Sequence, residues 1–282
     1  MTPVAATGRA EPFFLESAPG TRFCLFHPPA GEAVRGAVLY VHPFGEEMNK
    51  ARRMAALQAR ALAALGYGVL QLDLYGCGDS SGDFGDARWE IWKQDLAAGY
   101  EWLRQRVDAP VSLLGLRLGA TLALDYACGA PHTPARLVLW QPVHSGAAFM
   151  TQFLRLRMAS EMLSDSQEKG QGTQALRDAL GGGAMLEIAG YDIAPALAGA
   201  IDALDATQLA LAGCEVHWLE IATAAGRGLP PAAAKVATVW QQRGVKLHTQ
   251  VVACPPFWST QEVTECPALV AATSSIFSGG PQ

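Results

Sequence analysis

Val111-Ser-Leu-Leu-Gly-Leu-Arg-Leu-Gly-Ala120 is the stretch that decides the fold. A short apolar run ends in Gly115. One residue later comes Arg117, one later again Gly119, and an Ala/Leu-rich helical pattern continues to Cys128. Glycines two residues before and after a central residue let a strand and a helix approach closely around a sharp turn. The central residue of such a turn sits in a strained backbone conformation, which costs about 1–3 kcal/mol. The frame is that of G-x-S-x-G, with arginine where the serine would stand.

Outward from this turn, strand and helix patterns alternate. On the N-terminal side, residues 12–16 and 21–27 read as an antiparallel pair around the turn Ser17-Ala-Pro-Gly20. Residues 36–42 and 68–74 are continuous apolar runs of the kind that fill buried parallel strands. Residues 43–49 read as a loop. A helix is predicted over 50–65 from the stripe Met54, Leu57, Ala61 and Leu65, with Gly66 as its stop. Trp89, Trp92, Leu96, Tyr100 and Leu103 recur at helical spacing and predict a core-facing helix over 87–106. Residues 135–141 form another strand. Residues 143–211 break the alternation and read as polar and helical in places, with a glycine cluster at 181–183. It resumes with strands over 215–221 and 246–254 and helices over 230–242 and 263–277. The order predicts an α/β fold, a mostly parallel eight-stranded sheet flanked by helices, with right-handed crossovers. Residues 1–142 and 212–282 form its core, and residues 143–211 an inserted helical lid.

Composition narrows the function. Half of the 282 residues are apolar and 17% are charged, which is a core-forming chain. Lys and Arg number 21 against 26 Asp and Glu, a net charge of −5 with no basic run. Nucleic-acid binding needs a basic footprint and is not expected. No run of about 18 apolar residues predicts a membrane span. The first residues lack the pattern of a signal peptide, so a cytoplasmic setting is expected. The six cysteines contain no C-x-x-C pair. They read as buried or inert thiols in a reducing compartment, without a disulfide framework, and neither a metal nor a cofactor is expected.

The ordered motifs resemble the α/β-hydrolase family over nearly the whole chain. Besides the turn at Arg117, Asp73-Leu-Tyr-Gly-Cys-Gly-Asp-Ser-Ser-Gly82 resembles that family's Gly-rich loop. Tyr40-Val-His-Pro-Phe-Gly45 resembles the loop that supplies an oxyanion donor. Pro43-Phe-Gly-Glu-Glu-Met-Asn-Lys50 with Arg52 and Arg53, Gly115-Leu-Arg-Leu-Gly119, and Pro256-Phe-Trp258 with Glu262 resemble the exosortase A system-associated hydrolase 2 group. That resemblance implies a bacterial exopolysaccharide setting, partners among exosortase-system proteins, and a hydrolase or acyltransferase. It also implies where a triad would lie. Arginine cannot act as an acyl nucleophile. The positions expected for the acid, 221–227 and 141–144, hold no carboxylate, and the position for the base, 254–258, holds no histidine. Ser-His-Asp chemistry is therefore not expected.

What remains is a set of candidates. Glu46 and Glu47, on the loop facing the turn, can act as an acid/base pair or balance the Arg117 charge. His144 is a third catalytic candidate. Cys254 stands near the expected base position, where it could pair with His42 or His144. His217 and His248 lie inside strands and read as packing residues, and His27 as peripheral. Arg117, Leu118, His42, Phe44, Gly45, Trp258 and Glu262 are candidate binding residues, with Phe257 and Trp258 making one wall aromatic. Two functions follow: a hydrolase or acyltransferase working without the triad on a small-molecule, acyl or sugar substrate, or a non-catalytic scaffold. In the scaffold, Arg117 would grip a carboxylate- or phosphate-bearing ligand, or the surface would hold a protein partner. A salt bridge between Arg117 and Glu46 or Glu47, with two parallel hydrogen bonds, is expected.

Overall fold

In the computed structural model, residues 8–31, 33–163 and 172–279 are described, with the backbone alone for 159–163. Strands β1 (Glu11–Glu16) and β2 (Thr21–His27) pair antiparallel at one edge of the sheet. Inward from them run β3 (Gly36–Val41), β4 (Tyr67–Leu72), β5 (Val111–Leu116), β6 (Arg136–Trp140), β9 (Glu215–Ala222) and β10 (Lys246–Ala253). The spatial order is β1-β2-β4-β3-β5-β6-β9-β10, and every pair from β4 onward is parallel. The fold is that of an α/β hydrolase.

Strand alternation sends neighbouring residues to opposite layers. Leu39, Leu113 and Leu137 pack beneath α2 (Trp89–Val107) and α3 (Leu118–Gly129). Val38, Leu114 and Val138 pack beneath α1 (Glu46–Ala64) and α8 (Pro267–Ser278). Both faces are covered, which is why the central strands read as unbroken apolar runs. Helix α7 (Pro231–Gln242) lies between β9 and β10 in sequence and buries Val236 and Trp240. No described helix is long and apolar enough to cross a membrane.

Several expectations are corrected. Helix α1 begins at Glu46, so residues 46–49 are its first turn and not a loop. Gly45, at φ +55, makes the turn into the helix, and two carboxylates in the first turn are stabilised by its dipole. Helix α8 begins at Pro267 instead of residue 263, because proline suits the first helical position. Residues 143–211, expected to be helical in places, also carry an element the sequence did not mark. They hold α4 (Gly146–Leu163), α5 (Thr173–Gly181) and α6 (Pro195–Asp202), and also a hairpin of β7 (Leu186–Ile188) and β8 (Tyr191–Ile193). Its two-residue turn, Ala189-Gly190, has positive φ at both positions. Alanine is a poor sequence signal for that conformation, so the hairpin is invisible to turn chemistry. Finally, Cys254 and Cys266 form a disulfide, because the loop after β10 folds back and brings their Cα atoms to 5.9 Å. Cys254 is thus not a free nucleophile. His27 is also buried, not peripheral.

One ion pair ties the Gly-rich loop to the sheet. Arg22 and Asp95 have side chains with 0% exposure, and Arg22 Nε donates to Asp95 Oδ1 at 2.6 Å. Asp95 Oδ2 accepts the Tyr75 N–H at 2.8 Å, and the guanidinium lies 4.7 Å from the Tyr75 ring centroid. Breaking a buried pair leaves a charge stranded out of water. Asp95→Ala should therefore lose about 3–5 kcal/mol of stability in urea unfolding. A loss below about 1 kcal/mol, the range of exposed ion pairs, would mean the pair is not structural.

Candidate functional site

Arg117 stands between β5 and α3 at φ +56, ψ −123, a conformation that L residues rarely adopt. The turn is tight. A Cβ at Gly119 would collide with the carbonyl oxygen of His42, and one at Gly115 with the backbone of Ala120. The ends of β3, β5 and α3 are thus pressed together. Because α1 starts only five residues after β3, its first turn comes to lie beside Arg117.

Arg117 Nε donates to Glu47 Oε1 at 3.3 Å. The side chains are 17% and 22% exposed, so the pair is largely withdrawn from water. The expected pairing is present with Glu47, but as one hydrogen bond instead of two. The second support is aromatic: the guanidinium carbon lies 5.3 Å from the Trp258 ring centroid, a cation–π distance. The two terminal guanidinium nitrogens take no protein partner among the described residues. Glu47 Oε2 is buried and also without a partner. Burial raises the Glu47 pKa above the usual carboxylate range, and the nearby Arg117 only partly counters this.

Arg117, Glu47 and Trp258 line a cavity of about 480 Å³, with Phe44 and Glu46. Its other walls come largely from the segment between β6 and β9: Phe149, Phe153 and Leu156 of α4, and Tyr191 of β8. The sequence reading missed these residues, although Phe149, Phe153 and Leu156 recur at helical spacing and mark one face of α4. Lys50, also missed, reaches the rim and donates to the Gln261 carbonyl at 2.9 Å. Glu46 is exposed; its Oε2 accepts from Asn49 Nδ2 at 2.9 Å and from the Tyr191 hydroxyl at 3.3 Å. It joins α1 to the β7–β8 hairpin and leaves Arg117 to Glu47.

The remaining candidates lie elsewhere. His42 is buried; its Nε2 accepts the Leu74 N–H at 3.1 Å and its Nδ1 donates to the Pro43 carbonyl at 2.8 Å. Both ring nitrogens are committed, burial holds the pKa down, and the ring is a fixed neutral strut. Leu118, His42 and Gly45 border a separate void of about 10 Å³, too small for a ligand. His144 packs 5.0 Å from the Trp218 ring and does not line the cavity. Burial, then the Arg117 charge, lowers its pKa to about 4, and its Nε2 has no partner. Glu262 is exposed and takes part through its carbonyl, which accepts from Thr260 at 2.8 Å. Phe257 is buried in the α1/α8 layer and forms no cavity wall. The reading of 221–227 as free of carboxylate also passes over its neighbour Glu220, which is 1% exposed. Trp218 Nε1 and Gln141 Nε2 donate to its two oxygens at 2.8 and 3.0 Å, so it anchors Gln141, itself at φ +46.

The sequence of the chain finds no match among curated proteins. Solved structures match it over almost its full length. A soluble variant of monoglyceride lipase from Saccharomyces cerevisiae aligns with a TM-score of 0.64 at 16% identity, covering 96% of each chain. Est1E from Butyrivibrio proteoclasticus, with ferulic acid bound, gives 0.63 at 13% identity, covering 94% of this chain and 96% of that one. An alpha-beta serine hydrolase homologue from Coxiella burnetii gives 0.54 at 14% identity and 95% of each. At these identities the likeness is one of fold. Residues 32–180, more than half of the chain, match the family described as serine aminopeptidase, S33, and the chain belongs to that family of α/β hydrolases.

Proposed function

We propose that this protein is an α/β-hydrolase family member whose Arg117, standing where the family's nucleophile would, holds the anionic head of an amphipathic ligand. The head is a carboxylate or a phosphate, and the apolar body lies against Phe149, Phe153 and Leu156. The observation that carries this reading is the state of Arg117. One hydrogen bond and one aromatic face fix the guanidinium, while its terminal nitrogens stay unpaired at a cavity of about 480 Å³. That volume lies within the range of about 300–1,000 Å³ common for small-molecule sites. A planar fork with two free N–H edges matches a carboxylate or phosphate. Residues 143–211 act as the lid, since α4 and the β7–β8 hairpin supply the apolar walls. The exosortase-type motifs support a protein partner from that system.

A second reading, in which the site hydrolyses or transfers an acyl group without a serine, is favoured by Glu47. Its raised pKa and unpaired Oε2 are what a general acid or base needs. The two readings separate by turnover. Hydrolysis of ester or thioester probes that disappears in Glu47→Gln supports the second. Binding without turnover supports the first.

The binding reading makes three demands. Decanoate and decanesulfonate should bind in titration calorimetry while decanol, lacking the charge, binds at least about tenfold more weakly; Arg117→Leu should erase that preference. Equal affinity for all three would remove Arg117 from the site. A second demand concerns pH. Ionised Glu47 competes with the ligand head for Arg117, and its pKa is raised. Decanesulfonate, charged throughout, should therefore bind more weakly as pH rises through the Glu47 titration. Glu47→Gln should bind it more tightly and flatten the profile. Unchanged pH dependence in that variant would show that the two do not compete. Third, a fluorophosphonate probe should leave the protein unlabelled, and stoichiometric labelling of a serine would restore serine chemistry.

A further inference from the structure

A second cluster of chemistry-bearing side chains lies at the opposite end of the sheet from Arg117. Glu215 opens β9 and Lys246 opens β10; these residues are register partners in the parallel pair, and two residues on His217 faces His248. Strand alternation puts Glu215 and His217 on one face, and the register puts His248 beside them on the same face. The rings of His217 and His248 lie 4.7 Å apart, nearly parallel at 14°. His217 Nε2 is 3.5 Å from Glu215 Oε2, is buried, and makes no hydrogen bond. One donor atom from each of the three residues falls within 4.8 Å of the other two.

We propose that Glu215, His217 and His248 bind a divalent transition-metal ion of the zinc type, through two imidazole nitrogens and one carboxylate oxygen.

Three features support this. Two imidazoles with a carboxylate form a nitrogen-rich set that suits zinc and its neighbours, whereas calcium and magnesium favour all-oxygen shells. The spacing is close to what the ion requires. Zinc bonds of about 2.0–2.2 Å in a tetrahedron place donors about 3.3 Å apart. Bonds at the long end of that range put the donors about 3.6 Å apart, so the Glu215–His217 separation of 3.5 Å is compatible with it, and the His248 ring is exposed. The cluster is also not used for another purpose. Arg136, the β6 register partner of Glu215, forms no ion pair with it. Arg136 donates instead to the Gly279 carbonyl at 3.4 Å and lies over the Phe277 ring at 5.9 Å. A buried ring nitrogen whose nearest acceptor, Glu215 Oε2, stands at 3.5 Å without a hydrogen bond is the feature this arrangement would otherwise leave unexplained. His248 faces solvent, so the fourth position is open to water. Such an ion would cross-link β9 to the edge strand β10.

The untagged full-length chain, stripped with a chelator, tests this by equilibrium dialysis against zinc chloride with the bound metal counted by atomic absorption. One zinc per chain is expected, together with a rise in Tm on zinc addition and none on magnesium addition. His248→Ala and Glu215→Gln alter exposed or half-exposed groups and should fold as the parent does. Each should weaken zinc binding at least about tenfold, since even groups behind a metal's ligands are worth 10–100-fold. His217→Asn should do the same. No zinc uptake by the parent overturns the proposal. So does uptake that His248→Ala and Glu215→Gln leave unchanged, which would place the ion at other residues.

Discussion

The contact between Gly119 and the end of β3 governs the geometry of the site. A side chain at 119 would strike the His42 carbonyl, so only glycine allows α3 to start where it does. With that contact made, the residue two before it must turn sharply, and Arg117 takes the positive φ. The same contact fixes where β3 ends, and therefore where α1 begins. Gly45 turns the chain at φ +55 and Glu46 and Glu47 follow at once as the first turn. Arg117 and Glu47 come from positions seventy residues apart, yet no loop of adjustable length separates either from the contact.

The pairing stays incomplete. Glu47 engages only Nε, and the Trp258 ring lies against the guanidinium at 5.3 Å. An aromatic ring on the face of a guanidinium leaves its N–H edges open, so the terminal nitrogens remain available. Desolvation then works against Glu47, whose second oxygen has no donor. The pair is thus a half-satisfied network next to open volume, which is a costly arrangement unless something fills it. An anionic head on the terminal nitrogens would complete the charge balance around Arg117 without displacing Trp258.

The frame of the fold was legible because parallel strands buried on both faces leave unbroken apolar runs. The runs at 36–42, 68–74 and 135–141 match β3, β4 and β6 to within two residues. Glycine spacing around Arg117 located the turn, and charge balance pointed to a carboxylate partner. The rest depended on tertiary contacts. Tyr191 reaches the cavity only because Ala189 adopts a left-handed turn that alanine seldom marks. Leu118 and His42 sit beside Arg117 in sequence or at the neighbouring strand end, yet the tightness of the Gly119 contact shuts them behind the cavity. Glu262 lies four residues beyond Trp258 but points its carboxylate to solvent. His217 and His248 read as packing residues one at a time; only the register of β9 against β10 makes them a pair.

The segment after β10 supplies the aromatic face that meets Arg117. Pro255 and Pro256 turn the chain, Phe257 buries itself against Trp140 at 6.4 Å, and Trp258 projects over Arg117. Cys254 and Cys266 close the loop behind them. Packing holds Phe257 and Trp258, and a covalent bond closes the loop. The aromatic face over the guanidinium stabilises a cation by its quadrupole and offers no proton acceptor. Under the binding reading, Arg117 and Trp258 are therefore one unit. A serine at 117 alone would meet an indole face above it and, in Glu47, an acceptor fixed to receive from an arginine. The charge at the turn and the aromatic wall that faces it make sense only together.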